Sequence, residues 1–92
     1  MAVLIFEWDP EKARENEQNH EVTFAEAAEV FDDDHSSSAP DPDHSLGEGR
    51  YLIFGVSKGS RFLVVSYTER GDRIRLISAR LMTPRERRAY EQ

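Results

Sequence analysis

The 92-residue chain contains no cysteine. That absence excludes a disulfide framework, a thiol nucleophile and a thiolate metal site, and leaves the core to hold the fold unaided. Long apolar runs are missing too. None approaches the ~18 residues of a membrane span, and the opening stretch from Met1 to Phe6 lacks the basic start and cleavage site of a signal peptide. The expectation is one soluble, cytoplasmic domain over residues 1–92. No Gly-rich loop precedes a helix, no zinc spacing exists, and no Ser–His–Asp arrangement is legible. Lysine is nearly absent from residues 49–92, where nine of the ten cations are arginine.

The net charge of −6 argues against a polyanionic partner, but it conceals a division. Residues 1–48 set two cations (Lys12, Arg14) against fourteen Asp and Glu, a net of −12. Residues 49–92 set ten cations against Glu69, Asp72, Glu86 and Glu91, a net of +6. A sign asymmetry of this kind is itself a pointer to function.

Val3-Leu4-Ile5-Phe6 reads as a short strand. Asp9-Pro10-Glu11 reads as a helix start, because Asp accepts from orphan amides and Pro fits the first helical position. A helix from about Pro10 to His20 follows, with a thin apolar face around Ala13. Thr23-Phe24-Ala25-Glu26 has the form of a capping box, and Phe24, Ala27, Ala28 and Phe31 lie on one helical stripe. From Asp32 to Gly49 the composition turns to Asp, Ser and Pro, which predicts an acidic mobile loop. Arg50 to Val56, Arg61 to Thr68 and Arg73 to Leu81 form a strand meander with glycine-containing turns at Ser57–Ser60 and Glu69–Asp72. Phe62-Leu63-Val64-Val65 is apolar on both faces, as a central strand requires. The last strand is expected to place Ile74, Leu76 and Ser78 on one face. Thr83-Pro84-Arg85-Glu86 opens a closing helix to about Glu91. The fold class is α+β, in the order β-α-α-β-β-β-α, with helices packed on one side of a small, mostly antiparallel sheet.

Arg50, Arg61, Arg70, Arg73, Arg75 and Arg80 lie in or beside strands of one sheet, and Arg85, Arg87 and Arg88 ride the last helix. Guanidinium forks match phosphate oxygens and stay charged at any working pH. Any one of them reads as an ordinary solvated charge. The cluster reads as a surface for a polyanion, since generic solubility would have used lysine. His20 is a candidate for proton transfer or a cation favouring the last helical carbonyls. Trp8 and Tyr67 are either base platforms or core aromatics. Asp32-Asp33-Asp34-His35 and Asp41-Pro42-Asp43-His44 suggest a divalent ion, but their spacing fits no closed site, and a loop explains them better.

Phe6-Glu7-Trp8-Asp9-Pro10 with Lys12-Ala13, Asn16 and His20, then Val22-Thr23-Phe24-Ala25-Glu26-Ala27, resembles the opening of BrnT-type toxins. The stretches Leu63 to Arg70, Ile74 to Arg80 and Thr83 to Glu91 are similar to the closing half of that family, so the likeness spans all but the acidic loop. It implies a RelE-like fold and a metal-independent ribonuclease without cofactor, the toxin of a type II toxin–antitoxin system. Such toxins arrest translation and are neutralised in a hetero-oligomer by a BrnA-like ribbon-helix-helix antitoxin, through which the complex reaches operator DNA. Carried onto this chain, the resemblance gives phosphate stabilisation to Arg61, Arg75 and Arg80, with Arg50 assisting. His20 or Glu7 becomes the proton-transfer group, Trp8 or Tyr67 the base platform, and Lys12 a further RNA contact. One departure stands out. The family pattern reads Lys-His-Gly where this chain has Asn19-His20-Glu21, losing a cation, gaining an anion and removing a helix-ending glycine. Two other readings stay open: a weakened relic that binds antitoxin and co-represses, and a domain whose basic face docks an acidic protein.

Overall fold

The N-terminal apolar run forms β1 (Ile5–Glu7), and Asp9 opens α1 (Pro10–His20) by accepting from the Glu11 amide at 2.9 Å. A computed structural model describes residues 3–43 and 49–92. After α1 come α2 (Phe24–Glu29), a 3₁₀ turn (Val30–Asp32), β2 (Ser37–Pro40), β3 (Arg50–Val56), β4 (Phe62–Arg70), β5 (Arg73–Leu81) and α3 (Pro84–Tyr90). The strands form one sheet in the order β1-β5-β4-β3-β2. Among the described residues only β1 runs parallel to its neighbour, so the sheet is mostly antiparallel and the doubly apolar β4 is its middle strand.

The core lies between α1, α2 and one face of this sheet. Val22, Phe24, Ala27 and Val30 meet Ile53, Leu63, Val65, Tyr67, Leu76 and Ala79, with Phe6, Ala13 and Phe31 packed around them. Burial of each large side chain stabilises the fold by roughly 1.5–3 kcal/mol. Gly55 is needed where the 3₁₀ turn crosses β3, because an added Cβ would stand 2.6 Å from Val30 Cγ1.

Four features depart from the sequence reading. The stretch read as a mobile loop contains β2, which pairs antiparallel with β3. Ser-Ser-Ala-Pro has little strand propensity, and its pairing comes from the backbone on an exposed edge that Pro40 closes. His44, Glu48 and the rest of residues 44–48 lie outside the described residues. Next, the β4–β5 register shifts at Ser66/Tyr67, where Tyr67 faces Leu76 and Ser66 faces Ser78. The extra residue, Ile77, reverses the alternation of β5, so Ala79 enters the core and Ser78 is exposed. Third, α3 does not join α1 and α2. Tyr90 packs edge-on to Phe62, and Phe62 points away from its core neighbour Leu63. Finally, in the turn after β3 it is Ser60 that adopts the left-handed conformation (φ 66°), whereas Gly71 does so in the next turn (φ 62°).

Candidate nucleic-acid interface

Strand alternation decides which arginines share a face. On the face away from α1 and α2, register aligns Arg50 of β3, Thr68 of β4, Arg75 of β5 and Glu7 of β1 in one row across four strands. Arg75 Nη1 donates to Glu7 Oε2 at 2.9 Å. Thr68 is buried and donates to the Gly49 carbonyl at 2.8 Å, fixing the chain as it enters β3. The next row is Leu52, Ser66 and Ser78, and the one beyond is Phe54, Val64 and Arg80. Arg75 and Arg80 are thus about 13 Å apart along the sheet, at ~3.3 Å per residue for the four residues from Thr68 to Val64. Between them lies a floor of short hydroxyl and apolar side chains.

Arg80 is held by both oxygens of Glu86 in α3, at 2.8 and 2.9 Å. That fork is the main reason the Glu86 carboxyl is lowered to about 2, helped by the Thr83 amide, and it raises the Arg80 guanidinium in turn. Thr83 and Glu86 also complete the capping box of α3, as their spacing predicts. At the other end of α3, Tyr90 donates to Asp33 Oδ2, which also accepts from the Val56 amide at 2.9 Å. Burial, then the Asp33 carboxylate, pushes the Tyr90 phenol up to about 12. Arg87 stacks over Phe62 at 3.9 Å. Asp33, one of the suspected metal ligands, is therefore engaged in anchoring α3, and among the described residues no three His, Asp or Glu side chains converge.

Arg61 lies elsewhere. It shares the parity of Leu63 and Val65, so it points to the helix side, where its Nε and Nη2 donate to Glu26 at 3.0 and 2.8 Å. Nη2 also donates to the Glu21 carbonyl at 2.6 Å. The Arg61 bond chiefly lowers the Glu26 carboxyl. With its carboxylate turned to Arg61 and Ser57, Glu26 leaves Thr23 as a one-sided cap whose Oγ1 accepts the Glu26 amide at 3.1 Å. Trp8 is also on the helix side, edge-on to Phe24 at 5.9 Å in a groove with Pro10 and Ala13. Tyr67 is a core residue: it stacks on Tyr51, meets Phe31 edge-on and bonds Ser38 at 2.8 Å, which corrects its reading as a base platform.

Lys12 and His20 lie two helical turns apart, about 12 Å, on one side of α1. Both line a shallow groove with Glu15, Asn19, Ile77 and Ser78, where α1 lies along β5 beyond the end of β1. Asn16, one helical turn from each, is buried, and nothing in the pattern of charges marked it. The helix still ends as a glycine would end it. Glu21 takes φ 57° and its amide donates to the Glu17 carbonyl at 2.9 Å.

A family model described as the ribonuclease toxin BrnT of type II toxin–antitoxin systems matches residues 8–86. The chain belongs to the BrnT family. Among solved structures, the crystal structure of the ribonuclease toxin BrnT from Brucella abortus is similar in fold, with a TM-score of 0.67 and 20% identity over 88% of this chain and 97% of that one. No match was found among curated proteins. As a BrnT-family chain it has an antitoxin as its expected kind of partner. Among the described residues no helix is long and apolar enough to cross a membrane.

Proposed function

We propose that this copy is an active endoribonuclease that cleaves RNA in the cytoplasm without a metal ion, and is neutralised by a ribbon-helix-helix antitoxin. In this reading the antitoxin carries the complex to operator DNA. One observation carries the enzymatic part: the sheet face away from α1 and α2 places Arg50, Arg75 and Glu7 in one row, next to the edge groove of Lys12 and His20. Cleavage needs the 2′-hydroxyl activated, the phosphorane charge stabilised and the 5′-oxygen protonated. Arg75 and Arg80, assisted by Arg50, are the cations for the phosphate. His20 or Glu7 moves the proton, and Lys12 contacts the RNA backbone. Arg61 is reassigned to holding the α1–α2 junction against β4, given its bonds to Glu26 and Glu21.

The purified chain should cut an RNA oligonucleotide in EDTA as fast as in magnesium, and Arg75→Ala should slow that cleavage about 100-fold. Full activity in the variant, or activity only with added metal, defeats the assignment. A second reading rests on a specific contact pattern. Arg75 and Arg80 are each bound by a carboxylate of the chain itself, so a phosphate must compete for them. A weakened protein that binds antitoxin and co-represses is the expectation if induction in cells leaves growth and RNA intact while operator binding by the complex persists.

A further inference from the structure

We propose that Asn16 is a positioning residue of the RNA site, holding Lys12 and His20 against the free edge of β5. This rests on the reading of Lys12 and His20 as RNA-facing groups. β1 pairs with β5 only from Arg73 to Arg75, so among the described residues the same edge of β5 has no strand partner farther along. There the Asn16 side chain takes the strand's place. Its Oδ1 accepts from the Ala79 amide at 3.0 Å, and its Nδ2 donates to the Ala79 carbonyl at 2.9 Å. The same Nδ2 donates to the Val22 carbonyl at 2.9 Å, tying down the chain that follows α1. One amide therefore satisfies both backbone polar groups of a core residue and secures the helix at two points.

The placement explains why an asparagine occupies the interior of a helix, where its propensity is poor. A longer β1 could satisfy Ala79 equally well, but it would occupy the edge along which α1 now runs. With the amide instead, residues 12, 16 and 20 form one stripe of α1, and its outer members reach the groove beside Ser78. The β-bulge at Ile77 belongs to the same arrangement, since it turns Ala79 inward to meet Asn16 and leaves Ser78 in the groove. Lys12 and His20 carry no such anchor of their own, so their distance from the sheet is set by Asn16.

Asn16→Ala and Asn16→Gln separate this role from simple stability. Gln retains the amide but adds a methylene, which shifts α1 off β5 while preserving the hydrogen-bonding groups. Both variants should lower kcat for RNA cleavage at least 10-fold in samples shown to be folded by circular dichroism, with KM changed less than 3-fold. In a Lys12→Ala/His20→Ala background, the further loss from Asn16→Gln should be under 2-fold. Multiplicative losses, or a Tm change with kcat intact, would overturn the proposal. A cleavage-independent measurement follows the His20 and Lys12 side-chain NMR signals during titration with a 2′-O-methyl RNA oligonucleotide. Shifts in wild type that disappear in Asn16→Gln support positioning even if the chain proves unable to cut RNA, an outcome that would defeat the enzymatic reading alone. Absence of RNA-induced shifts in wild type, or equal shifts in the variant, refutes it.

Discussion

On the helix side of the sheet, Arg61 gives three hydrogen bonds to Glu26 and the Glu21 carbonyl and ties two helices to β4. On the opposite side, Arg75 meets Glu7 through one bond, in the row that also holds Arg50 and Thr68. The two residues are alike in type, similar in exposure and fourteen positions apart in sequence. Their difference is one of parity: an odd-numbered residue of β4 faces the core, whereas the row of Thr68 and Arg75 faces out. Net charge by halves locates a basic region, but the division of labour within it is set by strand alternation and by the bulge that resets it.

The sharpest break of this comparison exchanges the two arginines' expected phenotypes. Arg61→Ala should lower stability by about 1–2 kcal/mol, because three hydrogen bonds are lost from a partly exposed site. RNA cleavage per folded molecule should change little. Arg75→Ala should change stability by less than about 1 kcal/mol, as expected for a partly exposed pair, while cleavage falls. Urea denaturation and single-turnover cleavage of both variants decide the matter. Loss of cleavage in folded Arg61→Ala, with none in Arg75→Ala, would place the site on the wrong face.

A smaller effect concerns α3, which bridges the two faces through Arg80–Glu86 at one end and Tyr90–Asp33 at the other. Glu86 is lowered from an ordinary 4.5 to about 2, so its stabilisation is complete above pH 4.5 and is lost as the pH falls toward 2. Tyr90 is raised from 10 to about 12, so its stabilisation is complete below pH 10 and is lost as the pH climbs toward 12. Urea midpoints of wild type should decline in both windows. Glu86→Gln should flatten the acid limb in part and leave the alkaline one, and Tyr90→Phe should flatten the alkaline limb. Unchanged limbs in these variants would show that other groups control the two transitions.

Much of this arrangement was legible because local chemistry and tertiary structure agree. Asp9-Pro10 and Thr83-Pro84 start helices where their caps require it, and the runs Arg50–Val56 and Arg73–Leu81 are strands to the residue. The assignment of faces was harder. Phe62 and Val64 are as apolar as Leu63 and Val65, so the alternation that separates Arg61 from Arg75 carries no label saying which side the helices cover. Tyr67 has the composition of a platform and the surroundings of a core residue, and only packing against Phe31 and Tyr51 distinguishes the two. β2 has no propensity signal because its pairing is a backbone matter, and Asn16 enters the sequence reading as part of the family resemblance, with no role attached. Functional placement here depends on register, which long-range pairing sets and a local pattern does not encode.

The smallest effect tests the αα junction on the covered face, where the sequence lacks the glycine of its family pattern but the backbone does not. Glu21 holds φ 57°, a conformation that costs an L-residue roughly 1–2 kcal/mol relative to a right-handed one. Glycine escapes that cost but adds about 0.4–1 kcal/mol of unfolded-state entropy, so Glu21→Gly should stabilise the fold by about 1 kcal/mol or less. Glu21→Ala is the control. It removes the same charge but keeps a Cβ in the left-handed region, so it should bring no comparable gain. A rise in thermal midpoint for glycine alone assigns the cost to the backbone. An equal rise for alanine assigns it to the carboxylate, and then the left-handed turn is held without strain by Arg61 on the Glu21 carbonyl.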